Sequence, residues 1–141
     1  MNSVRFILTP LLVLGIGCLA AANAVAGGNY DKRLETYGAA IRWSDFDAAN
    51  AFIKPIGDDD AWSKAAEQYR DVRVADYVVK DSKSQKDSKS QKDPEQVLQT
   101  VEILYYKVNN PTIRRLIDRQ RWAYDADEKE WYLMTGLPAF E

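Results

Sequence analysis

The sequence predicts an α+β domain in which N-terminal helices pack on a curved antiparallel sheet of about four strands. Three observations carry this expectation. Apolar residues recur at helical spacing between Tyr30 and Tyr69, the period shortens to two at Val72, and the strand-like runs that follow are joined by short turns. Helices followed by a meander is the order in which helices gather on one face of an antiparallel sheet.

In the first helix, Tyr30, Leu34, Tyr37 and Ile41 form one face, opposite Lys32, Arg33 and Glu35. Ser44 stands before Asp45, Phe46 and Asp47 as an N-cap with acids behind it, and Phe46, Ala49, Phe52 and Ile53 continue the helical spacing to Pro55 and Gly57. Asp58, Asp59 and Asp60 precede a third helix, residues 61–69, whose stripe is Trp62, Ala65, Ala66 and Tyr69. Three consecutive carboxylates diverge, unlike the alternating ligands of a calcium loop, so the run reads as a helix start and no metal is expected. Strands follow at residues 72–79, 96–108, 112–124 and 130–135, with Asn109-Asn110-Pro111 and the acidic stretch 125–128 as turns.

Two segments stand outside this domain. Residues 6–22 are apolar or small and uncharged, and Ala24 and Ala26 supply the small residues of a signal-peptidase site, so residues 1–26 read as a signal peptide. In the alternative processing, the stretch ending at Cys18 serves as a lipoprotein box, with Cys18 lipidated and tethering the chain to a membrane. Both routes lead to the cell envelope: periplasm or secretion in one case, a lipid anchor in the other. The hexamer repeat KDSKSQKDSKSQKD, residues 80–93, contains no apolar side chain and is expected to be a disordered loop within the single domain 27–141.

Composition excludes several chemistries. A chain of 141 residues has room for one domain. Without residues 1–26 it carries 18 basic against 21 acidic residues, a weakly negative balance that argues against a nucleic-acid partner. There is no histidine, and the one cysteine lies in the leader. Zinc sites of the Cys/His type, disulfides within the domain and Ser-His or Cys-His nucleophiles are thereby excluded, and no cofactor is expected.

The candidate site comes from strand alternation. On the third strand Leu116, Asp118, Gln120, Trp122 and Tyr124 share a face, and on the second Glu102 sits between Thr100, Leu104 and Tyr106. Glu102, Tyr106, Asp118, Gln120 and Trp122 are therefore the expected pocket-lining residues, polar groups among rings as in a small-molecule site. A desolvated Asp118 could act as a general base, although the commoner role of such a residue is structural. The tryptophans read first as core, because they fall on the same periodic stripes as the aliphatics, and second as a recognition face on the carboxyl-terminal hairpin.

The stretches TYGAAIRWSDFDAANAFI, RVADYVVKD, VEILYYKVNN and RQRWAYD followed by EWYLMTGLP resemble small proteobacterial envelope proteins and lipoproteins of unassigned activity. In layout these are similar to the nuclear-transport-factor-2-like superfamily, a cone of helices on a curved sheet. The resemblance implies that fold for residues 30–141 apart from the repeat, and a function in either catalysis or binding. The leading expectation is a non-enzymatic envelope domain that binds a small ligand or an envelope protein. The alternative is a small pocket enzyme with isomerase-like acid-base chemistry at Asp118, assisted by Tyr106.

Overall fold

Alternation from Val72 onward dictates a sheet with one apolar face, and the chain supplies helices to cover it. The computed structural model describes residues 22–55, 60–85 and 95–141. Helices α1 (Ala22–Arg42), α2 (Phe46–Asn50) and α3 (Ala61–Ala65), the last continued by a 3-10 turn over Ala66–Tyr69, precede strands β1 (Val72–Gln85), β2 (Gln96–Lys107), β3 (Asn110–Asp125) and β4 (Glu130–Leu133). The strands form one antiparallel meander in the order β1-β2-β3-β4, curved and unclosed, as the α+β expectation requires. Bulges after Val74 and Val79 bend β1, an edge strand, and bulging blunts such an edge against unwanted pairing.

The helices cover the face formed by Val97, Val101, Ile103, Tyr105 and Trp122, all buried. Tyr37 and Ile41 of α1 are fully buried against it, and Tyr37 meets the Trp122 ring edge-on at 5.2 Å. Two arginines anchor the second half of α1. Arg33 donates to the Trp131 carbonyl of β4 at 3.1 Å and lies over the Phe52 ring, while Arg42 donates to the Tyr77 carbonyl of β1 at 2.9 Å. The helix thus bridges both margins of the sheet. Its close approach needs a missing side chain, because a Cβ at Gly38 would stand 3.0 Å from the Tyr77 ring.

At the end of α1, Ser44 adopts φ 57°, the left-handed conformation usual for the residue that stops a helix. Asp45 N–H donates back to the Ala40 carbonyl, and the Ser44 hydroxyl accepts from the Val74 amide at 2.8 Å. This one residue therefore ends α1 and pins the turn to β1. The N-cap of α2 is Asp45, whose side chain accepts from the Ala48 amide, one position later than the expected Ser44.

The repeat departs from expectation in part. Residues 80–85 are ordered strand, paired in register from Asp81 opposite Thr100 to Gln85 opposite Gln96. Their polar composition argues against burial, yet an edge strand needs only a partner backbone, and β2 provides one. Residues 86–93 lie outside the described residues, as do Cys18, most of the leader, Asp58 and Asp59. α1 begins ahead of Ala26, where the expected cleavage would fall.

Two stability outcomes follow. Trp122→Ala should lower unfolding free energy by about 3–5 kcal/mol in urea titrations, since it empties the centre of the core. Ser44→Ala should destabilise more than Ser44→Gly, by about 1 kcal/mol, because both lose the hydroxyl but only alanine retains the left-handed strain.

Candidate functional site

The register divides the sequence-derived site between two faces. Val101 opposes Asp118, Gln99 opposes Gln120 and Val97 opposes Trp122, so Asp118, Gln120 and Trp122 are together on the helix-covered face. Glu102 opposes Ile117 and points the other way, towards Lys80 at 3.1 Å and Arg115 at 3.6 Å. Tyr106 shares that outer face. Its neighbour Tyr105 is the buried one. Neither Glu102 nor Tyr106 can line a cavity with Asp118, which removes the expected partnership of Asp118 and Tyr106. The cause is that β2 carries apolar residues in both phases, with Leu98, Leu104 and Tyr106 alternating against Val97, Val101, Ile103 and Tyr105.

On the inner face Asp118, Gln120 and Trp122 satisfy one another. Gln120 Nε2 donates to Asp118 Oδ2 at 2.8 Å and Gln120 Oε1 accepts from the Trp122 indole at 3.2 Å, with longer contacts to Gln99 and the Tyr77 hydroxyl at 3.4 Å. Burial pushes the Asp118 carboxyl above its ordinary range, while the Gln120 hydrogen bond partly opposes the shift. Burial also moves the Tyr77 phenol up to about 12 and the Tyr37 phenol well above its usual value. The Tyr37 hydroxyl has no hydrogen-bond partner among the described residues. A cleft of about 210 Å³ between α1 and β1 reaches Tyr77 and Gln99, and Asp118 is not among its lining residues.

The indoles of Trp122 and Trp131 are 0% and 1% exposed, so the carboxyl-terminal hairpin presents neither for recognition. They are core, which was the first of the two sequence readings. The exposed tryptophan lies elsewhere. Trp43, next to the strained Ser44, is 83% exposed and stands on a groove of about 400 Å³. Phe46, Trp62 and Tyr69 supply its other rings, and Asp47, Arg70 and Arg73 its charges.

This groove is built locally. Phe46 stacks on Tyr69 at 4.8 Å and Trp62 on Tyr69 at 5.8 Å, while Phe140 closes the cluster from behind by meeting Phe46, Tyr69 and Tyr105. The Trp62 indole donates to Asp47 Oδ1 at 2.7 Å, which fixes both side chains. Arg70 pairs with Glu67 at 2.5 Å. Arg73 donates only to the carbonyls of Arg70 and Val72, with no carboxylate partner among the described residues. A large ring in water and a guanidinium without a counter-ion are both binding resources.

Sequence spacing contained part of this signal. The expectation that the tryptophans are core fails at Trp43, which is out of phase with the stripe of Tyr30, Leu34, Tyr37 and Ile41 and is exposed. Trp62 was read as buried, and is half-buried with its indole on the groove. Among the described residues no cluster of three His, Cys, Asp or Glu side chains is placed to hold a metal ion, and no helix is long and apolar enough to cross a membrane. Comparison with family models, with curated proteins and with solved structures finds no match to this chain.

The displaced Asp118 pKa has a testable sign. A carboxyl raised in the folded state binds protons more tightly there than when unfolded, so its ionisation destabilises the fold above the raised value. Stability from this group should increase as pH falls through the folded pKa towards the ordinary carboxylate range. Asp118→Asn should flatten that part of the pH–stability profile and should not lower the neutral-pH melting temperature. A melting temperature that drops in the variant would instead show a charged partner that holds the ionised form.

Proposed function

We propose that this chain is a non-enzymatic binding domain of the cell envelope, and that it reads its ligand at the groove beside Trp43. The carrying observation is the 83% exposure of Trp43 on a concave surface floored by stacked rings and lined by Arg73. Exposing an indole forgoes a burial worth roughly 2–3 kcal/mol, so the placement is explained by a partner that covers it. The ligand that fits offers a ring face to the indoles and an anionic group to Arg73. Asp47, already held by Trp62, can accept a hydroxyl or N–H donor from the same molecule.

The envelope location and the kinship with nuclear-transport-factor-2-like cones belong to this proposal. They rest on the leader-like residues 1–26 and on the helices-then-meander layout. Inner-face chemistry is the second reading. It is favoured by the unpartnered Tyr37 hydroxyl and the raised Asp118 carboxyl, an acid-base group and a hydroxyl donor on one face. Against it, Asp118 is engaged by Gln120, and the inner face is filled by Tyr37, Ile41 and Trp122.

Indole fluorescence tests the binding reading directly. Titration with ring-bearing organic anions, uronates and nucleoside monophosphates among them, should perturb emission from the wild type. Trp43→Ala and Arg73→Ala should each weaken the response at least tenfold with unchanged melting temperature, because neither side chain supports the core. A response that survives both substitutions and is lost in Asp118→Asn would transfer the site to the inner face.

A further inference from the structure

The carboxyl-terminal hairpin borders a second concavity, away from the groove beside Trp43. Alternation that buries Trp122 and Leu133 turns Ala123, Tyr132 and Met134 outward, with Ala123 opposite Tyr132. Arg121 stands two residues before Ala123 on the same side and level with Met134, whose amide donates to the Arg121 carbonyl at 2.8 Å. Beyond the edge of β4, the segment that bridges to Leu133 brings Lys54 across to an ion pair with Asp125. Between these groups lies a cleft of about 280 Å³ lined by Ala123, Tyr124, Tyr132 and Met134 and walled at one end by the Lys54–Asp125 pair. It shares no lining residue with the Trp43 groove.

The cations around the cleft are not equivalent. Lys54 is committed to Asp125. Arg121 is exposed and has no carboxylate partner among the described residues. Its row across the sheet is Lys83, Leu98, Arg121 and Met134, which contains no acid. In the next row Asp81 is paired with Lys83 at 3.3 Å and stands two strand spacings, about 10 Å, from Arg119. The Thr135 hydroxyl accepts from the Arg121 amide at 3.4 Å and keeps its own proton to donate. An apolar hollow therefore has free cationic donors at one end and a neutralised ion pair at the other.

From this arrangement we propose that the cleft binds a single acyl chain with a terminal carboxylate, its tail along Ala123, Tyr132 and Met134 and its carboxylate on Arg121. The volume sets the tail: a methylene takes up about as much room as a water molecule in the liquid, about 30 Å³, so about nine fit. A planar guanidinium holds a carboxylate through two parallel hydrogen bonds, and Met134 adapts its unbranched side chain to a flexible tail. A sugar would lose its hydration against this lining without regaining hydrogen bonds. A flat membrane leaflet engages apolar groups that protrude, whereas a concave lining suits one chain drawn into it.

The test uses the full chain with its methionine methyl groups labelled for nuclear magnetic resonance, and decanoate as probe, below the concentration at which it aggregates. Met1 and Met134 are the two methionines, so the Met134 signal reports on the cleft. Decanoate should shift that signal saturably. Hexanoate should bind at least tenfold more weakly, because each buried methylene is worth about a factor of four in affinity. Decanol, of similar length and without charge, should also bind at least tenfold more weakly than decanoate. Arg121→Gln should remove that preference and Arg121→Lys should retain it, while Trp43→Ala should bind decanoate as the wild type does. Ala123→Trp should fill the cleft and abolish binding, with near-UV circular dichroism checking the fold. Should that variant unfold, the chain-length series and the two Arg121 variants decide alone. No saturable shift, equal binding of decanoate and decanol, an Arg121→Gln chain that keeps the preference, or binding lost in Trp43→Ala would overturn the proposal.

Discussion

The seat of α1 on the sheet decides what the rest of the molecule can do. Tyr37 and Ile41 fill the inner face against Trp122, and Arg33 and Arg42 clasp backbone carbonyls at the opposite margins of the sheet. Gly38 permits the contact by leaving room for the Tyr77 ring. With the helix so placed, the hollow that a curved sheet could offer is occupied by side chains of the chain itself. Asp118 and Gln120 become structural neighbours, and the concave and exposed surfaces that remain lie beyond the helix.

Those surfaces follow from how the helix ends and from what it leaves uncovered. The left-handed turn at Ser44 stops α1 and, through the Val74 amide, ties that stop to β1. Trp43 is consequently held out in water beside a stack of rings whose own order depends on Phe140 folding back from the carboxyl end. Local strain compensated by a hydrogen bond to another element is a common way of holding a side chain where the core would not place it. Among the described residues no helix covers the opposite sheet face, where Val78, Leu98 and Ile117 are exposed.

Much of the architecture was legible because the signals were redundant. The stripe from Tyr30 to Ile41, the period change at Val72 and the turn around Asn109 each predicted their element, although α1 begins at Ala22 and β1 runs on to Gln85. The site was less legible, for reasons that particular residues illustrate. Glu102 and Tyr106 were assigned to the wrong face because β2 alternates apolar residues in both phases, and only pairing with β3 breaks the tie. Residues 80–85 read as loop because composition cannot register a partner backbone brought from residues 96–101. The groove joins Trp43, Trp62 and Arg73 from three separate elements, so no single window of sequence contains it. Trp43 was grouped with the core tryptophans, although it falls out of phase with its own helix.

The four tryptophans make the central claim, an inner face filled by the chain's own side chains, directly measurable. With 5-fluorotryptophan incorporated, each indole gives its own fluorine resonance, assigned by single substitutions, and a soluble paramagnetic agent broadens those in contact with solvent. Strong broadening of Trp43, intermediate broadening of Trp62 and none of Trp122 or Trp131 is the predicted result. Broadening of Trp122 to the level of Trp43 would show an inner face open to solvent, and would contradict the claim that the chain fills its own hollow.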